Sequence, residues 1–174
     1  MNDLRYPIGE LQLTKDVTDG MRADWTDEIA AAPKQLRSAI EGLDDHQLDT
    51  PYRPDGWTVR QVVHHVFDSH VNSYVRFKWA LSEDAPAIKV YDQDRWATLS
   101  EAHTAPVEVS LGALEQLHAR WVLMLRGLSP ADLARTLTHP ELGELNLDDM
   151  LQIYAWHGCH HTAHVTGLRK REGW

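Results

Sequence analysis

The sequence predicts an all-α protein, a four-helix bundle with a long connection between its second and third helices. Three observations support this fold class: four long segments carry apolar residues at helical spacing, strand signals are few, and no internal repeat or low-complexity tract occurs. The chain of 174 residues is expected to form a single domain over residues 1–174. The long connection leaves open whether the helices follow a simple up-down-up-down order.

The first predicted helix covers about residues 19–43. Pro33 lies inside it and is expected to kink the helix or restart it. The apolar residues that define this helix recur at spacings of three, four and seven, and they are Met21, Trp25, Ile29, Leu36, Ile40 and Leu43. The polar segment "DDHQLDTPYRPDG" then ends the pattern and is interpreted as a connecting loop.

The second predicted helix begins after Thr58. Gln61 follows three residues later and an apolar run comes next, which is the arrangement of a capping box. No Gly or Pro interrupts the sequence up to about Ser82, so the helix is expected to continue that far. Residues 83–106 contain two prolines and have weak periodicity, which predicts a long excursion with one short helix around Trp96.

The third helix is predicted over about residues 107–128, and the fourth helix is predicted to end near Arg171. Between them, Ser129 is expected to cap a short turn that starts with proline, and residues 136–147 suggest a small extended turn or hairpin. Asn146 can cap the fourth helix, whose first turn carries acidic residues that the helix dipole favours. The apolar residues of the third helix are Leu111, Leu114, Leu117, Trp121, Leu125 and Leu128.

The composition narrows the function classes. The formal net charge is −9 and no basic run occurs, which argues against nucleic acid as a ligand. No stretch has the ~18 consecutive apolar residues of a membrane span, and the N-terminus lacks the layout of a signal peptide. The single cysteine, Cys159, excludes an internal disulfide and a cysteine-rich zinc module. We therefore expect a cytoplasmic protein without a nucleic-acid or membrane partner.

Four of the eleven histidines lie within nine residues near the C-terminus, in "WHGCHHTAH". The apolar stripe of the fourth helix leads into them, with His160 at its edge, and the members of that stripe are Leu147, Met150, Leu151, Tyr154, His157, His161, His164 and Leu168. Histidines on an apolar face argue against a solvated surface. Several neutral imidazoles buried together need many hydrogen-bond partners, so a structural cluster is less favoured than a metal site, in which one ion takes up several lone pairs.

Two histidine pairs in this segment have the four-residue spacing of metal ligands on a helix. They are His157/His161 and His160/His164, and spacing alone does not choose between them. The first pair lies nearer the centre of the apolar stripe and is modestly favoured. His164 is interpreted as a third ligand, as a group that orients a ligand or faces the substrate, or as a general base.

A catalytic zinc site usually has three protein ligands and an open position, so another ligand is expected from elsewhere in the chain. The second helix offers His64 and His65, which point about 100° apart on a helix, and only one of them is expected to share the bundle interior with the fourth helix. His65 flanks the apolar stripe of its helix. A polar strip continues from it and is interpreted either as a cavity wall or as an exposed face: Asp68, Ser69, Asn72 and Arg76.

Three motifs resemble the YfiT-type branch of the DinB superfamily, in matching order over nearly the whole chain: "RYPIGE", "QLDTPYRPDGWTVRQVVHHVFDSHVNSYVRFK" and "YAWHGCHHTAHV". The resemblance implies a DinB-like four-helix bundle, a homodimer and one divalent metal per subunit, zinc or nickel, held by three histidines. Carried over residue by residue, it places the ligands at His65, His157 and His161. The departure from the motif is Cys159, where relatives can have another histidine. We expect its thiol beside the site, where it could bind soft metals or be oxidised.

The resemblance also implies a metal-dependent hydrolase that acts on a small-molecule substrate and in which the metal, zinc in preference to nickel, activates a nucleophile. Three alternatives stay open: a thiol S-transferase that uses the same metal to activate bacillithiol or mycothiol, a metal-binding protein without turnover, and a helical interaction protein with structural histidines. The candidates for substrate positioning or proton transfer are Asp68, Asn72, Arg76, Tyr154 and His164. Arg76 and Arg60 are further considered as partners of a substrate carboxylate, with ordinary salt bridges as the alternative.

Overall fold

The computed structural model describes residues 3–174, so the first two residues of the predicted domain lie outside the described range. Over this range the chain is mostly helical, and the predicted four-helix bundle is confirmed. The elements are α1 (Asp19–Ile40), α2 (Asp45–Leu48), α3 (Val59–Ser82), α4 (Gln93–Ala97), α5 (Ser100–Thr104), α6 (Val107–Leu125), α7 (Pro130–Leu133), β1 (Thr136–His139), β2 (Gly143–Asn146) and α8 (Leu147–Glu172). From residue 3 onward, none of the helices is both long enough and apolar enough to cross a membrane.

The predicted starts of the long helices α3 and α8 are confirmed. At α3, Thr58 Oγ1 accepts a hydrogen bond from the Gln61 amide at 3.2 Å, and Gln61 Oε1 accepts one from the Thr58 amide at 2.8 Å. Asn146 and Asp149 form the same reciprocal pair at the start of α8. These bonds satisfy backbone amides that have no partner within the first turn of a helix, which is why such residues mark a helix start in the sequence.

Several other boundaries differ from the sequence prediction. α1 ends at Ile40 rather than Leu43, because Gly42 adopts a positive φ of 79° that turns the chain out of the helix. α6 ends at Leu125, three residues before the predicted end. The polar loop after α1 contains the short helix α2, capped by Asp44, and the excursion contains two short helices, α4 and α5, where one is predicted. Helices of four or five residues are too short for hydrophobic periodicity to reveal them.

Pro33 does not restart α1, which is a single helix on both sides of it. Proline has no amide hydrogen, so the carbonyl oxygen of Ile29, one turn earlier, lacks its usual helical donor. A side chain from another helix supplies a donor instead, since His118 Nδ1 on α6 lies 2.6 Å from Ile29 O. The proline therefore creates an acceptor inside the bundle.

Two apolar clusters fill the bundle on either side of a polar layer. The first cluster includes Ile29, Phe77, Trp121, Leu125, Leu147 and Leu151. The second cluster includes Leu36, Val59, Val62, Leu111, Leu114, Val165 and Leu168. Between the two clusters, α3, α6 and α8 carry buried histidines, and α1 carries the small residues Ala32 and Pro33. The histidines thus form a layer across the middle of the core.

The order of the two clusters along each helix gives the helix directions. α1 and α8 pass from the first cluster to the second, whereas α3 and α6 pass from the second cluster to the first. α3 and α6 are therefore parallel to each other and antiparallel to α1 and α8. The excursion over residues 83–106 returns the chain to the end of the bundle where α3 begins, which decides the helix order that the sequence leaves open.

The predicted hairpin is present as the antiparallel pair β1 and β2, in register from Thr136 opposite Asn146 to His139 opposite Gly143. The excursion is attached to this hairpin by backbone hydrogen bonds, from the Thr138 amide to Pro86 O at 2.9 Å and from the Ile88 amide to Thr138 O at 3.0 Å. Excursion and hairpin together cover one side of the polar layer.

Candidate metal centre

The three histidines predicted as metal ligands meet in the polar layer. His65 comes from α3, and His157 and His161 come from α8, where they are one turn apart on the same face. One ring nitrogen from each histidine lies within 4.8 Å of the other two. The Nε2 atoms of His65 and His157 face each other at 3.3 Å. The fold therefore brings these side chains together from distant parts of the chain.

All three imidazoles are held in the neutral form. Burial, together with the charges of His160 and His164, lowers the pKa of His65 to about 3. Burial and neighbouring imidazoles also keep the pKa of His157 and the pKa of His161 well below the usual value. A histidine binds a metal ion through an unprotonated nitrogen, so the folded protein keeps these rings in the form that metal binding requires.

A chain of hydrogen bonds determines which nitrogen of His157 carries its proton. At the far end, the Ile29 carbonyl can only accept, so His118 Nδ1 donates across the 2.6 Å contact. His118 Nε2 then accepts from His70 Nδ1 at 2.7 Å, and His70 Nε2 accepts from His157 Nδ1 at 3.0 Å. Burial lowers the pKa of His118 to about 4 and the pKa of His70 well below its usual value, so each ring has one proton. His157 Nε2 is left with a free lone pair directed at His65.

We call the chain formed by His157, His70, His118 and Ile29 the closed relay. Its two middle members are 0% and 2% exposed, respectively, so water has no access to them. His70 also packs edge-on against the rings of Trp121 and Tyr154. Partners of this kind fix the tautomer and the orientation of a metal-binding histidine.

A second chain of hydrogen bonds determines which nitrogen of His161 carries its proton. The Arg5 carbonyl accepts from His164 Nε2 at 3.1 Å, so His164 Nδ1 is the acceptor in its 3.4 Å contact with His161 Nδ1. The remaining nitrogen of His161, Nε2, then has the free lone pair. His164 stacks on Tyr52 with 3.9 Å between ring centroids. We call His161, His164 and Arg5 the open relay, because it ends at an exposed residue of the N-terminal segment.

The donor set fits a divalent metal ion that prefers nitrogen ligands. Two nitrogens bound about 2.05 Å from a tetrahedral zinc ion lie about 3.3 Å apart, and the Nε2 atoms of His65 and His157 are separated by 3.3 Å. Among residues 3–174, neither of the two groups with metal-ligand spacing contains a carboxylate. Such an all-imidazole set suits zinc or nickel, whereas magnesium and calcium take oxygen ligands.

His160, His161 and His164 form a second group whose ring nitrogens also lie within 4.8 Å of one another. The two groups share His161. In the second group, both nitrogens of His164 already have hydrogen-bond partners, and His160 stacks on Trp156 with 4.1 Å between ring centroids. The group that contains His65 is therefore the better donor set.

His64, the neighbour of His65, points away from α8. Its Nδ1 accepts from Ser110 Oγ at 2.7 Å, and its Nε2 donates to Ala105 O at 3.2 Å. His65 faces the interior and is covered by Trp57, with 4.5 Å between ring centroids. Only one of the two adjacent histidines faces α8, as the rotation of 100° per helical residue predicts.

The histidine group opens on two clefts, which share His157 and Gln93. The first cleft has a volume of about 610 Å³, and its lining includes Tyr6, Tyr52, Arg53, Trp57, His160 and His164. The second cleft, of about 500 Å³, lies under the excursion and the hairpin, and its lining includes Ser69, Arg76, Tyr91, His139, Glu141 and Tyr154. A small molecule can therefore approach His157 from two sides.

The polar candidates on α3 separate into two groups. Arg76 meets Tyr154 at the second cleft, where Arg76 Nη1 lies 3.5 Å from Tyr154 Oη. Asp68 and Asn72 line neither cleft, and the Asn72 side chain donates to the Asp68 carbonyl at 2.8 Å. Burial raises the pKa of Asp68 to about 6. The predicted polar strip is thus a cavity wall only in part.

Two other candidates lie away from the clefts. The expectation that the Cys159 thiol lies beside the site is wrong: it lines a separate groove between the N-terminal segment and α1. Burial and the charge of Glu28 raise the pKa of this thiol, which makes it less reactive. Arg60 forms ion pairs with Asp45 at 2.8 Å and with Asp49 at 2.7 Å, so the salt-bridge alternative holds for this residue.

The sequence prediction missed His70 and His118. His118 lies four residues after Leu114 in the apolar stripe of α6, and the structure buries it while Leu117, predicted for that stripe, is only half-buried. The signal that identified the histidines of α8, a histidine on an apolar stripe, is therefore present in α6 as well. His70 gives the same signal, because it lies four residues after Val66 and seven before Phe77 on the apolar face of α3.

Comparison with known proteins agrees with this architecture. A family model described as the DinB superfamily matches residues 28–165. Proteins of Bacillus cereus (strain 03BB102) and Bacillus thuringiensis subsp. konkukian (strain 97-27), both named "Putative metal-dependent hydrolase", are 55% identical to this chain over 174 residues, which is 100% of each protein.

Two solved structures are similar as well. YfiT from Bacillus subtilis, described as "a probable metal-dependent hydrolase with an unusual four-helix bundle topology", is 44% identical and superposes with a TM-score of 0.96 over 98% of both chains. The four-helix bundle protein TT2238 is 22% identical and has a TM-score of 0.57, covering 88% of this chain and 99% of its own. The second likeness concerns the fold alone.

Proposed function

The chain belongs to the DinB superfamily, as a YfiT-type member, and on that premise we propose that it is a metal-dependent hydrolase. In this proposal His65, His157 and His161 hold one divalent metal ion, zinc or nickel. The observation that carries the proposal is the arrangement of three neutral imidazoles, from two helices, with one nitrogen each within 4.8 Å of the others and an opening to two clefts.

The two relays support this assignment of ligands. A ring nitrogen presents a lone pair to a metal only if its proton is on the other nitrogen. The closed relay places the proton of His157 on Nδ1, and the open relay does so for His161. When bound, a divalent metal supplies Lewis-acid chemistry, because neutral ligands leave it its full charge for polarising a carbonyl group or acidifying water.

The surrounding residues have separate tasks in this proposal. Trp57 covers His65 and limits the access of water from that side. His164 uses both nitrogens in hydrogen bonds, so it acts as a positioning residue rather than as a general base. Tyr154 Oη lies beside the Arg76 guanidinium in the second cleft and can orient a polar group of the substrate near His157.

Metal analysis tests the ligand assignment. Protein purified without an affinity tag is expected to contain close to one equivalent of zinc or nickel, and H65A is expected to lose most of it. The exposed His46 provides the control, because it belongs to neither group with metal-ligand spacing, and H46A is expected to leave the metal content unchanged. A wild-type protein with far less than one equivalent, and no thermal shift on adding Zn²⁺ or Ni²⁺, contradicts the proposal.

Turnover needs a separate test, which also distinguishes the alternatives. Metal-loaded protein is assayed with a panel of activated esters and amides, and in parallel with monochlorobimane and low-molecular-weight thiols, always against H65A. Ester or amide cleavage above the H65A rate supports the hydrolase. Conjugation of the thiol without any hydrolysis replaces it by a thiol S-transferase, and activity in neither assay favours metal binding without turnover. The homodimer implied by the resemblance stays a prediction.

A further inference from the structure

Arg76 is a buried cation without a counter-ion in the part of the chain that the structure describes. Its side chain lies in α3, and the residue is only 6% exposed. Among residues 3–174, no carboxylate oxygen lies within 4.0 Å of a nitrogen of its guanidinium, so it forms no ion pair there. Arg60, on the same helix and also 6% exposed, has two carboxylates, Asp45 and Asp49. An unpaired buried charge is costly, so its retention calls for a partner from outside the chain.

The hydrogen bonds of Arg76 do not use the full capacity of its guanidinium. Nη2 donates to the Lys89 carbonyl at 3.1 Å, and Nη1 makes a long contact of 3.5 Å with Tyr154 Oη. Nε is buried and has no partner among the described residues. A guanidinium carries five N–H donors, so several remain for a ligand.

The position of Arg76 connects it to the candidate metal centre. It lines the second cleft, of about 500 Å³, and His157 lines the same cleft. Tyr154 bridges the two, since its hydroxyl contacts Arg76 and its ring lies 5.7 Å from the His157 ring, centroid to centroid. A molecule whose reacting group is at His157 can therefore place a second group at Arg76.

We propose that the second cleft binds the carboxylate group of a small-molecule substrate at Arg76. This assignment rests on the proposed function for the statement that the ligand is a substrate. The lining favours one negative charge over two: among the described residues Arg76 is its one permanent cation, while Asp92 and Glu141 lie in the same lining. A phosphate dianion would meet one cation and two carboxylates, whereas a carboxylate matches the single guanidinium and its fork of donors.

The two acidic residues of the lining do not take the place of the ligand. Asp92 caps α4 by accepting from the Arg95 amide at 3.0 Å and pairs with the Arg95 side chain at 3.2 Å. Glu141 is exposed at the turn of the hairpin. Burial and the charge of Arg76 lower the pKa of His139, which is therefore neutral at this cleft.

Calorimetric titration with benzoate and its neutral isostere benzamide tests the proposal. Wild-type protein, both metal-loaded and metal-free, is expected to bind benzoate at least tenfold more tightly than benzamide. R76Q is expected to lose that preference, R76K to retain part of it, and E141Q to strengthen it by removing a like charge. R53Q is the matched control, because Arg53 lines the first cleft only. Its removal is expected to leave the preference for benzoate over benzamide unchanged.

The outcomes separate this proposal from the proposed function. Equal affinities for benzoate and benzamide, or a preference that survives in R76Q, overturn the carboxylate site whatever the turnover assays show. A preference in the metal-free protein supports the site even if hydrolysis is never found. If R76Q does not fold, a crystal of the wild-type protein with 4-bromobenzoate decides by anomalous scattering, since a carboxylate away from Arg76 contradicts the proposal.

Discussion

The closed relay and the open relay orient two neighbouring histidines of α8, yet they end in different surroundings. The closed relay ends at the Ile29 carbonyl inside α1, which is available because Pro33 has no amide hydrogen. The open relay ends at the carbonyl of Arg5, an exposed residue of the N-terminal segment. The buried residues His161 and His164 line the first cleft, from which water can replace a lost partner, whereas His70 and His118 line neither cleft.

The loss of a hydrogen-bond partner should therefore have different consequences in the two relays. A buried polar group that loses its partner pays its full desolvation cost, whereas an exposed group exchanges one partner for water at little cost. The closed relay should therefore contribute both to folding stability and to metal affinity. The open relay should contribute mainly to the orientation of His161, and hence more to metal affinity than to folding stability.

Acid is expected to have the largest effect, through the buried rings of the closed relay. The pKa of His118 is about 4 in the folded protein and 6.5 for the free side chain. Below pH 6.5 the unfolded chain therefore binds a proton at His118 that the folded chain does not bind. The free energy of unfolding of metal-free protein should fall by ~3 kcal/mol between about pH 6.5 and pH 4 from this residue alone. Below about pH 4 the folded state is protonated as well, and the loss should level off.

Urea denaturation of chelator-treated protein across this pH range provides the measurement. H118L should flatten the dependence, because it removes a group that the unfolded chain protonates. H46L, at an exposed histidine, should leave the slope as it is. A free energy of unfolding that is the same at about pH 7 and about pH 4.5 contradicts the neutral, buried relay.

Breaking the closed relay near neutral pH is the next largest expected effect. H118L removes the donor to Ile29 O and the acceptor for His70 Nδ1, and should lower the free energy of unfolding by ~2–4 kcal/mol. Metal affinity should fall by roughly 10–100-fold, since His157 loses its fixed tautomer. Competition with a chromogenic chelator measures the affinity. An H118L protein with the wild-type metal affinity would show that the relay does not act on the metal centre.

Backbone packing at the closed relay gives a smaller effect with a close control. A Cβ at Gly158 would lie 2.9 Å from Ala32 Cβ and 3.7 Å from His70 Cε1, so G158A should push α8 away from α1. We expect a loss of ~1–3 kcal/mol in the free energy of unfolding. G167A changes a glycine of the same helix, where the Cβ would meet only Arg171 Nη1 at 3.5 Å, and should be neutral or slightly stabilising. Equal stabilities of the two variants would contradict the close approach at Gly158.

Breaking the open relay should have the smallest effect on stability. H164L removes the acceptor for His161 Nδ1, but the groups it leaves are at the edge of a cleft that water enters. The free energy of unfolding should change by about 1 kcal/mol or less, and metal affinity should fall by up to about tenfold. Urea denaturation measures the stability, and competition with a chromogenic chelator measures the metal affinity. A loss of metal or stability greater than that of H118L would reverse the comparison between the relays.

Much of the fold could be predicted because its signals are local. The capping residues Thr58 and Asn146 act on amides three residues away, and the hydrophobic stripes repeat within each helix. The same local pattern placed histidines on the buried face of α8. Hydrophobic periodicity could not detect α2 or α5, which are too short to show a period. It also placed the end of α6 at Leu128, three residues after the helix ends in the structure.

The sequence by itself determined the four long helices, the buried face on which the histidines of α8 lie and, through the family resemblance, the three residues proposed as ligands. Only the tertiary structure decided that α3 runs parallel to α6, that His157 is oriented by His70 and His118, and that Arg76, unlike Arg60, has no ion-pair partner among the described residues. Caps and periodicity act within a few residues of one helix. Partners across helices depend on the direction and register of segments far apart in the chain, which no local pattern contains.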